Sequence, residues 1–214
     1  MKEYPSIPKI SSELIGLSCM AQMKYDGSNL RTEYSKKQGW YKWGTRRRLF
    51  DRKDPEYGIA IEIFEKTYAE PLAKAITDCK EFRGQQSAVA FLEFFGPESF
   101  AGWHDPKLLG VEKNEPLELR LFDVNIHRKG LLGPRRFIQL FGHLPTPQIL
   151  YDGILTEQFV QDVREGRYPV NEGVICKGGG EKSCHDIWMV KIKTFAYLDK
   201  LKKRFGDEWQ KYAE

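Results

Sequence analysis

Apolar and polar positions recur along this chain with two different periods. Residues 17–23 form a short, mostly apolar run bounded by Gly16 and Lys24, which predicts a buried strand. Residues 30–34 and 40–43 flank Lys36-Lys37-Gln38-Gly39 and predict a hairpin with a glycine-containing turn. From 57 to 79 the period lengthens. Ile59, Ile63, Phe64, Tyr68, Leu72 and Ile76 share roughly one helical face, and Pro71 is expected to break or kink that helix. Residues 87–95 and 117–126 predict buried strands, with loop and turn between them at Gly102, Pro106, Gly110 and Pro116. Pro134 opens a short helix over 134–141, and Thr156 caps another over 156–165. Residues 172–177 and 188–193 predict two strands joined through Gly178-Gly179-Gly180. A charged, amphipathic helix follows over 195–212, interrupted at Gly206, while Pro5 and Pro8 mark an extended entry. Strands and helices mix without strict alternation, so the expected class is α+β with largely antiparallel sheets.

Composition narrows the partners. The chain has 214 residues, 41% hydrophobic and 13% aromatic, enough to bury a core as one large domain or two small ones. Its formal charge of +4 suits a nucleic-acid partner without requiring one. Cys19, Cys79, Cys176 and Cys184 make no Cys-x-x-Cys pair, and Cys176, Cys184 and His185 match no common zinc spacing, so reduced thiols are expected. His104, His127, His143 and His185 likewise show no ligand spacing. The amino end is polar and no apolar run is long enough to span a bilayer, which predicts a soluble, cytoplasmic protein.

The candidate chemistry lies in five short segments. They are Lys24-Tyr25-Asp26-Gly27-Ser28-Asn29, then Phe91-Leu92-Glu93-Phe94-Phe95-Gly96, Leu119-Arg120-Leu121-Phe122-Asp123-Val124, Glu172-Gly173-Val174-Ile175-Cys176-Lys177, and Val190-Lys191-Ile192-Lys193. A lysine that attacks phosphorus must first lose its proton. Shifting a free amine to neutrality takes about three pKa units, or about 4 kcal/mol, which converging cations such as Lys177, Lys191 and Lys193 can supply. Lys191 and Lys193 are two apart, so they project from one strand face, where an anion between them would relieve their repulsion. A solvent-facing edge guarded by lysines is the other reading. On a regular strand 172, 174 and 176 face one way and 173, 175 and 177 the other, so Glu172 and Lys177 share a site only if the strand twists or bulges. Glu93 shares a face with Phe91 and Phe95, a pocket wall or the seat of a structural ion pair. Asp26-Gly27 read alone is a hairpin turn. Arg46 and Arg48 fall on one face if Thr45-Arg46-Arg47-Arg48 is extended, and otherwise form a solvated loop.

In this order and company, the segments resemble the covalent nucleotidyltransferase superfamily of polynucleotide ligases and RNA capping enzymes, over residues 24–193. Ser28-Asn29 is similar to RNA ligases of the Rnl2 type, because DNA ligases and capping enzymes usually carry arginine where this chain has Asn29. The resemblance implies an ATP-grasp-like nucleotidyltransferase fold with antiparallel sheets flanking a nucleotide pocket. It implies an adenylylation domain over 1–194 and a helical tail over 195–214. By the same resemblance Lys24 forms a lysyl-AMP adduct with ATP. AMP then passes to a 5′-phosphate, and a 3′-hydroxyl seals the strand, with RNA ends or a nicked duplex as partner and RNA repair as the setting. Asp26 orients the lysine or meets the ribose and metal shell. Asn29 touches the phosphate region, Arg46 contributes to the nucleotide or end-binding site, Glu93 meets the ribose, and Phe122 stacks on adenine. Lys177, Lys191 and Lys193 bind the α-phosphate, and Glu172 holds Mg2+ or Mn2+. About twenty residues follow Lys193, too few for the further domain common in such ligases, so the expectation is a minimal ligase, an isolated catalytic domain, or one that borrows its end-binding surface from an accessory protein or domain. A minimal DNA ligase, a guanylyltransferase, or a non-catalytic nucleic-acid-binding module derived from a ligase are the alternatives.

Overall fold

The strands cluster into two antiparallel sheets, each in its own compact unit. In the computed structural model, which describes residues 1–96, 99–100, 116–181 and 183–213, one unit comprises Ser6–Asp26, Pro147–Gly179 and Ile187–Glu214. The other comprises Met1–Pro5, Gly27–Thr146 and Gly180–Asp186. The loop reading at Gly102, Pro106 and Gly110 falls outside the described residues.

In the first of these units, β1 (Ser18–Lys24) is a central strand between β8 (Ile149–Ile154) and β9 (Gly173–Gly178), and β10 (Trp188–Lys193) pairs with β9. These three strand pairings are antiparallel, and Lys9 adds an isolated parallel bridge to Lys191 of β10. Alternation divides the sheet cleanly. Cys19, Ala21, Val174, Cys176, Val190 and Ile192 face a core. That core is closed by Phe159, Val160 and Val163 of a helix at Glu157–Arg164. Thr156 caps this helix as expected, its hydroxyl accepting from the Phe159 amide at 3.0 Å. The tail is a helix over Phe195–Phe205 that ends at Gly206, whose φ of 52° suits glycine. A 3-10 segment, Gly206–Lys211, follows it. β8 is a strand that the sequence pattern did not predict.

The other unit is built on a sheet ordered β4-β3-β2-β5-β6-β7. β2 (Ser28–Ser35) and β3 (Gly39–Thr45) form the predicted hairpin, and β4 is Leu49–Phe50. β5 spans Ser87–Phe95, β6 Glu118–Ile126 and β7 Gly130–Leu131. The long helical stretch is two helices, α1 (Gly58–Thr67) and α2 (Ala69–Asp78). Pro71 lies in the first turn of α2, and its ring excludes the carbonyl of Thr67, which places the break at Tyr68. The expected face is corrected in part. Ile59 is exposed, and Ala60, Ile61 and Phe64 turn inward with Tyr68, Leu72 and Ile76. The Tyr68 hydroxyl lies 2.7 Å from the carbonyl oxygens of both Leu119 and Pro145 and shares its one proton between them, so it is satisfied inside the core. α3 (Pro134–Phe141) seats Phe137 and Phe141 in the same cluster. The helices already met at Glu157–Arg164 and Phe195–Phe205 are α4 and α5.

Candidate active site

Strand register decides where the lysines go. Lys24 and Lys193 both lie opposite Gly173, one on each side of β9. Lys191 lies opposite Ile175, and Lys177 opposite Met20 and Met189. Opposed residues of an antiparallel pair share a face, so all four lysines project from the face away from the core. Lys177 is buried there.

Glu172 joins them by leaving the strand. An ideal strand would carry it to the core side with Val174. β9 starts one residue later, at Gly173, whose φ is 154°. A Cβ at that glycine would lie 2.0 Å from the Ile192 carbonyl oxygen, so no other residue fits. Glu172 thereby reaches the lysine face. One carboxylate oxygen accepts from Lys24 Nζ at 2.9 Å, and the other pairs with Lys193 Nζ at 2.9 Å. Burial alone would raise the Glu172 carboxyl, but the charges and hydrogen bonds of Lys24 and Lys193 outweigh it and hold the group below the usual carboxylate range.

α5 supports this cluster from one end. Its N-cap, Thr194, accepts from the Tyr197 amide at 3.1 Å and donates its own amide to the Glu172 carbonyl at 3.0 Å. Tyr197 donates its hydroxyl to Asp26 at 2.9 Å, and its ring faces Lys193 Nζ at 4.9 Å. Asp26 is therefore oriented by a tyrosine that sequence reasoning did not single out.

In the other unit, Asn29 lies opposite Glu93, and Arg120 flanks Glu93 on the far side. Phe91 and Phe95 share that outer face by alternation. Gly27 lies so close to β5 that a Cβ would meet the Phe94 carbonyl oxygen at 2.4 Å. Phe122 is the extra residue of a bulge, because Phe91 pairs with Asp123 while Leu92 pairs with Leu121. Tyr4 packs edge-on against Phe122 and Phe91, with ring centroids 4.9 and 5.0 Å away, and donates its hydroxyl to the buried Asp123. Burial first, and then the Asp123 charge, push the Tyr4 phenol well up. Tyr4 was missed because only the fold returns the amino end to this sheet. The extended reading of Thr45–Arg48 is corrected: the Thr45 hydroxyl accepts from the amides of Arg47 and Arg48 at 3.2 and 3.1 Å, closing a tight turn. Arg48 is committed to Asp54, and Arg46 stands exposed at the tip.

Among known proteins, no family model and no curated sequence matches this chain. Solved structures do. A putative ATP-dependent DNA ligase from Aquifex aeolicus is 18% identical, with a TM-score of 0.60 over 100% of this chain and 57% of its own. An archaeal ATP-dependent RNA ligase is 15% identical, with a TM-score of 0.62 over 97% of this chain and 52% of its own. A lysine-to-alanine mutant of Naegleria gruberi RNA ligase with ATP and Mn is 17% identical, with a TM-score of 0.61 over 92% and 59%. The chain has the fold of the ATP-dependent polynucleotide ligases. It spans between half and three fifths of the length of these three ligases.

On this ligase fold, the lysine face carries one more polar residue. Gln22 lies opposite Ile175, two residues before Lys24, and is buried with its amide nitrogen lacking a protein acceptor. An incoming anion would satisfy that donor. Alternation from Lys24 could have found it. No group of three His, Cys, Asp or Glu side chains among the described residues could hold a metal, and no described helix is long and apolar enough to cross a membrane.

Proposed function

We propose that the protein is an ATP-dependent RNA ligase that works through a covalent lysyl-AMP intermediate. The observation that carries this reading is the arrangement of Lys24, Lys177, Lys191 and Lys193 on one sheet face, with Glu172 held between Lys24 and Lys193. Glu172 bridges two of these lysines, and the phosphates of ATP are anions of the kind that such a cationic face accommodates. Gln22 adds a donor to the same face.

The Lys24 amine attacks the α-phosphorus. The bond from that phosphorus to the bridging oxygen breaks, pyrophosphate leaves with the electron pair, and the amine's proton passes to solvent water. Lys177, Lys191 and Lys193 stabilise charge on the non-bridging oxygens, which grows in the transition state. Asp26, fixed by Tyr197, holds the approach of Lys24. AMP next passes to a 5′-phosphate, and a 3′-hydroxyl displaces it to seal the strand. Glu93 is assigned to the ribose, Phe122 to the adenine, Asn29 to the phosphate region, and Arg46 to the nucleotide or end-binding site. Asn29 is also what favours RNA over DNA as the strand.

Magnesium takes few protein carboxylates and completes its shell with phosphates and water. Glu172, held between two of the lysines, fits a cation that arrives with the nucleotide, and such an ion would neutralise phosphate charge. Intact mass after incubation with ATP and magnesium tests the reading. Wild type gains one AMP and Lys24→Ala gains none. Equal labelling of the two, or none of wild type, refutes it. Parallel incubation with GTP and sealing of matched RNA and DNA nicks test the choice of nucleotide and strand.

A further inference from the structure

One end of the six-stranded sheet is cationic without compensation. β2, β3, β5, β6 and β7 bring three connections to that end. They are the β2–β3 turn, the approach to β5, and the β6–β7 turn, because Ser35 pairs with both Gly39 and Ser87, and Ile126 with both Ala88 and Gly130. The connections carry Lys36, Lys37, Arg83, Arg128 and Lys129, all exposed. Residues 34–42, 82–88 and 125–135 contain no aspartate or glutamate. None of the five cations forms an ion pair among the described residues. The nearest carboxylate in the chain, Glu81, is held by Arg136 at 2.8 and 3.0 Å. Asp186, on the 3-10 turn whose Cys184 packs against Gly130, pairs with none of them either. Lys36 lies 5.3 Å over the Phe82 ring, which ties the first connection to the second.

Two features set this end apart from an ordinary solvated surface. Some exposed cations elsewhere on the protein are paired within a few residues, as in Lys74–Asp78, Lys202–Asp199 and Lys211–Glu208, whereas the five at this end have no carboxylate within their own connections. Arg128 also has a φ of 60°, a left-handed conformation in which glycine or asparagine is the undemanding choice. Arg128 thus places a cationic side chain at a turn where glycine or asparagine would be conformationally easier. These lysines sit at connections rather than along an edge strand, so protection of an open edge does not account for them.

We infer that this end of the sheet is a docking surface for the sugar-phosphate backbone of the nucleic acid, at a distance from the reacting ends. The inference rests on the ligase reading above. The first and third connections are separated by three strand spacings, roughly 14 Å, enough to track several phosphates of one strand. Ser28 and Asn29 lie at the opposite end of β2, seven residues and about 20 Å away. The contact therefore grips the flank of the substrate and leaves the chemistry alone. Arginine and lysine contacts of this kind position a nucleic acid without reading its sequence.

The test uses the triple variant Lys37→Gln, Arg128→Asn and Lys129→Gln. Arg128→Asn suits the left-handed turn, and a melting curve matching wild type shows that the fold is kept. Lys74→Gln is the control for loss of an exposed, paired cation. Binding of a nicked RNA duplex is measured from 50 to 200 mM salt, beside the rate of AMP adduct formation. Each lost phosphate contact removes about 0.9 from the slope of log affinity against log salt, so three contacts lower it by about 2 to 3. The expected result is that shallower slope, at least tenfold weaker binding at 50 mM salt, and unchanged adduct formation. Unchanged affinity and slope in a variant that still forms the adduct overturn the docking surface alone and turn attention to an acidic protein as its partner. Failure of wild type to form an adduct overturns the ligase reading, and the inference falls with it.

Discussion

Removing the acid from the lysine face should cost more than removing the nucleophile. Glu172 makes two ionic contacts of 2.9 Å, and Lys24 makes one of them. At an effective dielectric near 20 each contact is worth roughly 6 kcal/mol before desolvation. The two ammoniums sit on opposite oxygens of one carboxylate and repel at about twice that separation, roughly 3 kcal/mol. Lys24→Met gives up one contact but also that repulsion, leaving a neutral Glu172–Lys193 pair. Glu172→Gln gives up both contacts and leaves the repulsion unopposed. The gross losses differ about fourfold. Desolvation returns part of each, so the net expectation is about 3–5 kcal/mol for Glu172→Gln and about 1 kcal/mol or less for Lys24→Met. Adding Lys24→Met to Glu172→Gln should recover stability, because the unpaired charge is then gone.

Acid provides an internal control. The Glu172 carboxyl is held below its ordinary value, so its contribution is complete above the unfolded-state value, about 4.3, and is lost as pH falls through the lower folded-state value. Urea denaturation at pH 7 should therefore separate wild type from Glu172→Gln by the full amount. The gap should narrow as the pH is taken below 4, where wild type itself becomes protonated. A gap under about 1 kcal/mol at pH 7, or Lys24→Met as costly as Glu172→Gln, would refute the charge argument.

Three further outcomes follow from single contacts. Gly173→Ala should abolish adduct formation and cost more than about 3 kcal/mol, since the new Cβ would meet the Ile192 carbonyl at 2.0 Å; a wild-type melting temperature would sink this. Tyr197→Phe keeps the ring over Lys193 but releases Asp26, so adduct formation measured by mass should slow by about tenfold, with stability falling by about 1 kcal/mol. An unchanged rate would remove Asp26 orientation from the mechanism. Thr156→Ala deletes the α4 cap and should cost about 1 kcal/mol in urea denaturation without slowing adduct formation.

Local signals made much of the fold legible. The apolar runs of β5 and β6, proline at the start of α3 and the threonine cap of α4 all depend on residues near in sequence. Lys191 and Lys193 were placed on one face by spacing alone. What escaped depends on partners far along the chain. β8 carries Asp152 and Gly153 and lies at the sheet's edge, so its pattern is weak until β1 is beside it. Ile59 looked like a core position, but α1 and α2 are separate helices and need not share one continuous face. Tyr4 enters through Asp123, 119 residues away. The Arg46 turn was hidden because a threonine hydroxyl, rather than a glycine, closes it.

The position of Glu172 shows why a motif can be read before its geometry can. Strict alternation places a carboxylate at 172 beside Val174 and Cys176, inside an apolar core, where an unpaired charge costs several kcal/mol. The same alternation places Lys177 on the opposite face. Both residues can serve one anion only if the backbone departs from the pleat between them. Gly173 makes that departure, and its cause is non-local: the Ile192 carbonyl of β10 occupies the space a side chain would need. β10 is also the strand that presents Lys191 and Lys193. The strand that delivers two of the cations therefore also enforces the glycine that turns the acid toward them, so a change at the β9–β10 contact should disturb ion pairing and lysine placement together rather than separately.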